Sequence, residues 1–343
     1  MEGFSLPHQR SDRVVLEANL DYWDASRLPR LQRIIFENTL EQQDAVELVK
    51  TREGRVDVVT GLRPLDTLRV AQSPFAMVVK DRGSPMTVFG MFNMRKAGSP
   101  WHDIRLRRAV NLAINRADFI RYATKGNGVV LPALLPPSAF GYDPNLPPYP
   151  FDPTQARQLL REAGYSTGLA VTLIAPRTLE VQATVVSKML QQAGFAVELQ
   201  VLDTDTYHQK TFLSHLDQPA KQQPWDIALT STNVNRGPLM RTYNWYALDG
   251  VYDWVMEAPT LRQLYARVLS TVDPEQQQHW MRQMERHIRD QAYFLFLYNP
   301  IRLYAVNKAV QLVPYAGIAL ILHKTAVTEQ HWSVRKQKAT GHK

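Results

Sequence analysis

Few side chains in the sequence have the types and spacing that metal binding requires. His208 and His215 are seven residues apart, and His279 and His287 are eight apart. On a helix each pair lies about two turns apart, which is too far for both imidazoles to hold one ion. Cysteine is absent, so thiolate sites, disulfides and a cysteine nucleophile are excluded. We therefore expect no metal centre and no cofactor.

Catalytic groups are equally sparse. Asp203 and Asp205 follow a predicted strand, where carboxylates can act as general acid and base. The same spacing is typical of a helix cap ahead of Thr206, and capping is the interpretation we favour. Ser231 lacks the glycine frame of a nucleophile elbow, and no glycine-rich phosphate loop occurs. We predict no catalytic residue and no enzymatic activity, with a hydrolase that uses Asp203 or Asp205 as the alternative.

A polar loop suits ligand binding better. The strand predicted at 225–229 runs directly into 230–238, which is rich in Thr, Ser, Asn and Arg. Sheets of α/β proteins bind ligands beyond the carboxyl ends of their strands. Aromatic side chains with polar tips also line ligand clefts, and several lie in predicted loops, although we expect most of them to pack in the core. The loop after 225–229 is thus the candidate binding loop.

Composition sets the class of protein. The chain has 343 residues, 45% of them hydrophobic and 21% charged, which is globular and long enough for two domains or a two-lobed body. The net charge of +8 is scattered, with its tightest clusters at 105–108 and 335–343, so we expect no nucleic-acid partner. No apolar run is long enough to cross a membrane, and residues 1–10 lack the pattern of a secretory signal.

The elements that must position the loop alternate between strands and helices. Residues 169–174, 179–193 and 195–201 form a strand, a helix and a strand, which predicts a parallel crossover. Asp103 is placed to cap a helix whose apolar residues recur every three or four positions. Further strands are predicted at 13–17, 33–37, 56–59, 74–94, 225–229 and 293–313, and further helices at 41–53, 152–164, 259–270 and 274–291. The pattern predicts an α/β fold with mixed sheets.

An ordered series of short motifs resembles the family 5 extracellular solute-binding proteins, the peptide- and nickel-binding receptors of bacterial ABC importers. The series runs from about residue 10 to about residue 313. The motifs are RVVLEANLDYWD at 13–24, GRVDV at 54–58, FN at 92–93, PWHDIRLRRAVNLAINR at 100–116, GYD at 141–143, YPFDP at 149–153 and WDIA at 225–228.

The resemblance implies a type II periplasmic-binding-protein-like α/β fold in which two lobes close on a ligand. Residues 1–90 would form part of lobe I, 91–299 lobe II, and 300–343 the return to lobe I. Family members carry a secretion signal and a long section of lobe I before the segment that matches 13–24, so we expect lobe I to be incomplete and to expose an apolar patch or an unpaired strand edge. Limited proteolysis should leave a core close to 91–299.

The implied function is a monomeric solute-binding receptor, periplasmic or extracytoplasmic, that delivers a short peptide or small solute to ABC permease subunits. The alternative is a cytoplasmic ligand-sensing domain with the same fold, as in some transcription regulators, which the missing signal would suit. A signal peptide encoded upstream would indicate the importer, and a DNA-binding module the sensor.

The binding loop departs from the peptide-binding members. They carry an aromatic residue and an acid after the strand that matches 225–229, and the acid pairs with the amine of the peptide. Thr232 and Asn235 stand at these positions, and no acidic residue occurs between Asp226 and Asp249.

Two cations, Arg236 and Arg241, lie in this loop, and the planar fork of arginine suits carboxylate or phosphate. We therefore predict a neutral or anionic solute rather than a free-amine peptide, unless both arginines point into solvent and another carboxylate, such as Asp249 or Asp253, holds the amine. The predicted ligand-binding residues are Asn233, Asn235, Arg236, Tyr243 and Trp245.

Overall fold

The computed structural model describes residues 12–213, 223–233, 254–255, 258–314 and 322–340. Their strands are β1 (Arg13–Glu17), β2 (Arg33–Glu37), β3 (Val58–Val59), β4 (Ala76–Asp81), β5 (Met86–Phe92), β6 (Gly128–Val130), β7 (Ala170–Pro176), β8 (Ala196–Leu202), β9 (Ile227–Asn233), β10 (Phe294–Pro300), β11 (Arg302–Asn307), β12 (Val310–Gln311) and β13 (Ala326–Val327). Their α-helices are α1 (Gln42–Val49), α2 (Thr67–Ala71), α3 (Ile104–Leu112), α4 (Arg116–Ala123), α5 (Pro153–Glu162), α6 (Glu180–Gln192), α7 (Thr204–His208), α8 (Pro259–Ser270), α9 (Pro274–Asp290) and α10 (Trp332–Thr340).

The predicted α/β pattern with mixed sheets is confirmed, with small shifts at element ends. The helix predicted over 41–53 already ends at Val49. Asn307 Nδ2 donates to the carbonyl oxygens of Val49 at 3.3 Å and Thr51 at 3.0 Å, so a side chain satisfies carbonyls that another helical turn would have used. The strand predicted at 56–59 is limited to Val58–Val59.

Contacts divide the chain into two compact units. Among the described residues, the first comprises those within 12–81, 302–314 and 322–340, and the second those within 82–301. Strand β5, which runs across residue 90, pairs along its length with β9 and belongs wholly to the second unit. The predicted division into lobes at residues 90 and 299 stays a prediction.

The second unit is built around a six-stranded mixed sheet of order β6-β10-β5-β9-β7-β8. β7 and β8 pair in parallel from Ala170↔Ala196 to Pro176↔Leu202, which confirms the crossover predicted through α6. Buried apolar side chains of α3, α6, α8 and α9 pack with the central strands in one core, together with Trp101, Trp225 and Trp254. The central strands are therefore held rigidly from their flanks.

The first unit has smaller sheets. β3, β11 and β4 form an antiparallel sheet, and β12 pairs with β13. Tyr304 and Val306 of β11 belong to the hydrophobic core of this unit. α10 is fixed by His331, whose Nε2 lies 2.9 Å from Asp57 Oδ1 and whose Nδ1 lies 2.7 Å from Ser333 Oγ. β1 and β2 form a separate antiparallel hairpin.

Helix α3 begins at a side-chain cap, as predicted. Asp103 Oδ1 accepts a hydrogen bond from Arg105 N at 2.8 Å. Its carboxylate also accepts from the Arg105 side chain, and this pairing holds the pKa of Asp103 below its ordinary value. Arg105 and Arg108 are exposed, whereas Ala109 and Val110 are buried, so the helix turns its apolar positions to the core.

Arg107, which belongs to the same basic cluster, is buried and serves the fold instead. Its Nη2 donates to Gln291 O at 2.9 Å and its Nε to Ala292 O at 3.2 Å, at the end of α9. Burial lowers the pKa of Arg107 to about 10. Its donors are directed at main-chain carbonyls inside the protein, so it has none to offer a phosphate at the surface.

Candidate functional site

One edge of the six-stranded sheet brings together the ends of several strands. β9, β7 and β8 are parallel, and both β10 and β9 run antiparallel to β5. The carboxyl ends of β7, β8, β9 and β10 therefore lie at the same edge as the amino end of β5. We call this the carboxyl edge of the sheet, and it is where α/β sheets bind ligands.

β9 extends beyond its neighbour on one side. It pairs with β5 over its whole length, from Ile227↔Phe92 to Asn233↔Met86. It pairs with β7 only at Ile227 and Ala228. In the part of the chain that the structure describes, no strand pairs with residues 229–233 on the side away from β5. The end of β9 therefore presents an open strand edge.

Tyr207 of α7 shows which main-chain groups face this edge. Its hydroxyl donates to Leu229 O at 2.6 Å, so the carbonyl of Leu229 points away from β5. Alternate residues of a strand point their main-chain groups in the same direction. The N–H and C=O groups of Ser231 consequently face the open edge, while those of Thr230 and Thr232 face β5.

The other end of β9 is anchored by Asp226. The carboxylate accepts from Thr172 N at 2.9 Å through Oδ2 and from Lys96 Nζ at 2.9 Å through Oδ1. Its own N–H donates to Thr172 O, and its carbonyl accepts from Asn93 N. The WDIA motif is therefore a structural junction that fixes β7, β9 and the end of β5 in register.

Asn299 holds the amino end of β5 at the carboxyl edge. Its Nδ2 donates to Ser84 O at 2.8 Å and to Met86 O at 2.6 Å, and its side chain is fully buried. Met86 is the residue paired with Asn233. Asn299 thus positions the backbone against which the last residue of β9 lies.

The structure supports the capping interpretation of Asp203. Its Oδ1 accepts from Thr206 N at 2.9 Å at the start of α7. The main-chain and side-chain hydrogen bonds from Thr206 lower the pKa of the Asp203 carboxyl. A general acid needs a raised pKa to hold its proton near neutral pH, so this arrangement does not suit acid catalysis.

Of the five predicted ligand-binding residues, the structure describes one. Asn233 is the last residue of β9 and lies half-buried at the carboxyl edge. Asn235, Arg236, Tyr243 and Trp245 lie outside the described residues, as do Arg241, Asp249 and Asp253. Their roles therefore stay predictions.

Neither a metal cluster nor a membrane span is found where the structure can be described. Within those segments no group of three or more His, Asp or Glu side chains could hold a metal ion. No helix there has the length and apolar character needed to cross a membrane.

Sequence reasoning missed Tyr207 and Asn299. The motif Asp203–Thr206 pointed to a short helix, but nothing in the local sequence marked the Tyr207 hydroxyl as the partner of a strand carbonyl 22 residues later. The partner of Asn299 is 215 residues away in the sequence. The signal that the sequence offered for Asn299 was its place near the end of the strongly apolar segment 294–300.

Comparison with known proteins gives the family context. Residues 7–253 match the family described as bacterial extracellular solute-binding proteins, family 5, middle part. The chain is 27% identical over 187 residues to di/tripeptide-binding protein 3 of Pseudomonas aeruginosa, covering 54% of this chain and 34% of that protein. It is also 27% identical over 198 residues to a glutathione-binding protein of Pectobacterium atrosepticum, covering 57% and 37%. The match thus spans about a third of the length of these relatives.

Solved structures share the fold. A substrate-binding protein of an ABC transporter from Listeria monocytogenes, CtaP, superposes with a TM-score of 0.81 at 18% identity, covering 94% of this chain and 66% of that chain. The periplasmic binding protein DppA from Helicobacter pylori, solved with the peptide STSA, gives a TM-score of 0.76 at 18% identity, covering 94% and 62%. The fold is that of the periplasmic binding proteins, as expected.

Proposed function

Because the chain belongs to the bacterial extracellular solute-binding proteins of family 5, we propose that it is a solute-binding receptor of an ABC-type importer. It binds a peptide, a peptide-like molecule or a small organic solute and delivers it to the permease subunits in the membrane. It acts outside the cytoplasm, as a monomer, and without turnover of the solute. The names of its relatives, which bind dipeptides, tripeptides and glutathione, support a solute of this size.

The observation that carries this proposal is the open edge of β9. Ser231 directs its main-chain N–H and C=O groups away from β5 where β7 no longer pairs with the strand. An extended peptide can add to such an edge through main-chain hydrogen bonds, which give affinity independent of its side chains. A small amide or carboxylate can use the same donors.

The second part of the proposal concerns the charge of the solute. We propose that Asn233, Asn235, Arg236, Tyr243 and Trp245 bind the solute. The segment between Asp226 and Asp249 contains no acidic residue. A buried ammonium group without an anionic partner costs several kcal/mol, roughly, whereas Arg236 can receive a carboxylate through two parallel hydrogen bonds. We therefore expect a neutral or anionic solute to bind more tightly than a free-amine peptide.

Calorimetry tests both parts. The chain is titrated with di- to pentapeptides, with the same peptides acetylated at the amine, and with small carboxylates, after native mass spectrometry has shown whether a solute co-purifies. Binding of acetylated peptides or carboxylates supports the charge preference. Binding of free-amine peptides that acetylation abolishes contradicts it and leaves receptor function intact. Turnover of the bound solute would contradict the receptor function itself.

A further inference from the structure

The ladder between β7 and β9 ends where β7 reaches a proline. Thr172 N donates to the Asp226 carboxylate at 2.9 Å, and Thr172 O accepts from Asp226 N, so the main-chain groups of Thr172 face β9. Alternate residues of a strand share this direction, and Ile174 and Pro176 therefore face β9 as well. The last paired residues are Ile174 and Ala228. The next donor that β7 would offer is the N–H of residue 176, and proline has none.

The carbonyl of Leu229 is the acceptor that this proline leaves without a ladder partner. Continuing the register of β7 and β9 places Pro176 beside Thr230, so an N–H at position 176 would have gone to Leu229 O. The Tyr207 hydroxyl donates to that oxygen instead, at 2.6 Å. Tyr207 is only 2% exposed, so the acceptor is satisfied inside the protein. The hydroxyl therefore takes the place of the next ladder hydrogen bond.

Tyr207 is itself held by the short helix that follows β8. Asp203 caps α7 through Thr206 N, and the Asp203 carbonyl accepts from Tyr207 N at 2.9 Å. The Tyr207 carbonyl accepts from Thr211 Oγ1 at 2.7 Å, and that hydroxyl is buried. Hydrogen bonds on both sides of Tyr207 thus fix the position from which its side chain reaches β9.

Ser231 is the next residue of β9 whose main-chain groups point to the same side as those of Leu229. Leu229 is fully buried, whereas Ser231 is exposed. A buried carbonyl without a partner is costly, so a strand that lost the hydroxyl would gain free energy by turning the Leu229 carbonyl toward water. The main-chain groups of Ser231, two residues further along, would turn with it. The Tyr207 hydroxyl therefore fixes the direction of these groups.

We propose that Tyr207 is a positioning residue for solute binding, because its hydroxyl ends the β7–β9 ladder at Leu229 and keeps the main-chain groups of Ser231 directed at the solute. Pro176 is the complementary part, since it withholds the donor that would let β7 continue along β9. The inference rests on the proposed receptor function and adds the residue that sets the geometry of its binding edge. Tyr207 acts through Ser231 and does not touch the solute.

Two phenylalanine variants separate positioning from stabilisation alone. Tyr207→Phe removes the hydrogen bond to Leu229 O. Tyr149→Phe is the matched control, because the Tyr149 hydroxyl also donates to a main-chain carbonyl at 2.6 Å, that of Arg289. Arg289 lies at the end of α9, which leads into the amino end of β10, so the control site is at the opposite edge of the sheet. Urea denaturation and calorimetry with acetylated di- to pentapeptides and small carboxylates supply the measurements.

We expect both variants to lower the urea midpoint to a similar extent, and Tyr207→Phe alone to weaken binding, by about tenfold, as loss of one main-chain hydrogen bond implies. The double variant Tyr207→Phe, Ser231→Pro should bind no more weakly than Ser231→Pro, because the hydroxyl acts through Ser231. Unchanged binding by Tyr207→Phe, equal weakening by Tyr149→Phe or additive losses in the double variant would overturn the proposal. Binding by the wild type keeps receptor function intact in each of these cases.

Amide hydrogen exchange without solute gives a second measurement. The N–H of Thr232 faces β5 just beyond the contact with Tyr207, and Thr232 pairs with Thr87. Its exchange should be faster in Tyr207→Phe than in the wild type and unchanged in Tyr149→Phe. Unchanged exchange in Tyr207→Phe would overturn the role of Tyr207, because the end of β9 would then keep its direction without the hydroxyl. Failure of every probe to bind the wild type would instead contradict the proposed function.

Discussion

Arg116 and Asn111 form a buried pair that joins α3, α4 and β10. Arg116 Nη2 donates to Asn111 Oδ1 at 3.0 Å, and the same oxygen accepts from Phe296 N at 3.2 Å. Arg116 Nε donates to Phe296 O at 3.0 Å. Burial lowers the pKa of Arg116 to about 9, and no carboxylate of the described residues pairs with it. Main-chain carbonyls and one amide therefore take the place of a counter-ion.

Replacing Asn111 by alanine should destabilise the protein strongly. The change removes the acceptor for Phe296 N and Arg116 Nη2, and each buried donor left without a partner costs about 1–3 kcal/mol. We expect Asn111→Ala to lower the free energy of unfolding by about 3 kcal/mol, measured by urea denaturation. The exposed Arg108→Ala on the same helix is the control and should change it by less than about 0.5 kcal/mol. Equal effects of the two substitutions on the free energy of unfolding would contradict a stabilising role for the Asn111–Arg116 pair.

A second prediction concerns Asp143, which ties the proline-rich segment to α9. Its Oδ2 accepts from Arg286 Nη2 at 2.8 Å and from Arg286 Nε at 2.9 Å. Burial alone would raise the pKa of Asp143, but the hydrogen bonds from Arg286 and Asn145 N lower it below its ordinary 3.8. A carboxyl with a lowered folded-state pKa stabilises the protein above its unfolded-state pKa, and this stability is lost as the pH falls through the folded-state pKa.

Asp143→Asn should therefore lower the free energy of unfolding by about 2 kcal/mol at pH 7, because a hydrogen bond to a charged group contributes about that much. The difference in unfolding free energy between the wild type and the variant should shrink as the pH falls below 3.8, since the wild-type carboxyl is then increasingly protonated. Urea denaturation across this pH range measures the difference. A difference in unfolding free energy that stays constant down to pH 2 would contradict a stabilising role for the ionised Asp143 carboxylate.

Local patterns predicted the parts of the fold that depend on near neighbours. The caps of α3 and α5 at Asp103 and Asp152 involve residues two or three positions away, and both were visible in the sequence. The crossover from β7 to β8 follows from apolar periodicity and connection length. Such features are fixed within a few turns of chain, so spacing is enough to find them.

The candidate site was predicted less completely, because it depends on distant partners. The sequence pointed to the loop after the strand at 225–229, but it did not predict the open edge, which exists because β7 stops pairing at Ala228. The burial of Arg107 was also missed, since its carbonyl partners lie 184 and 185 residues away. Long-range pairing of this kind leaves little trace in the spacing of one sequence.

A third prediction separates backbone strain from packing at Gly141. Its φ is +88°, and an added Cβ would lie 2.6 Å from Met281 Cβ. Gly164 has a similar φ of +93°, but an added Cβ would meet nothing within 4 Å. Gly164→Ala should lower the free energy of unfolding by about 1–2 kcal/mol, because alanine is strained in the left-handed conformation. Gly141→Ala should lower it by about 1–3 kcal/mol more, because its Cβ also overpacks the core. Urea denaturation of the two variants checks the order, and a Gly164→Ala that costs as much as Gly141→Ala would contradict it.

The last prediction tests the open edge of β9 with two neighbouring substitutions. Proline removes a main-chain N–H and is tolerated in a strand only where that N–H does not serve the ladder. The N–H of Ser231 faces the open edge, as the hydrogen bond from Tyr207 to Leu229 O indicates, whereas the N–H of Thr232 faces β5, where Thr232 pairs with Thr87.

Ser231→Pro should therefore leave the free energy of unfolding within about 1 kcal/mol of the wild type and weaken solute binding about tenfold, as loss of one main-chain hydrogen bond of about 1.4 kcal/mol implies. Thr232→Pro should instead destabilise the second unit by about 3 kcal/mol, because it breaks the β5–β9 ladder. Calorimetry and urea denaturation of both variants supply the measurements. If Ser231→Pro unfolds the protein as readily as Thr232→Pro does, its N–H serves the sheet rather than the solute. If Ser231→Pro folds and binds the solute with unchanged affinity, the solute does not use this edge.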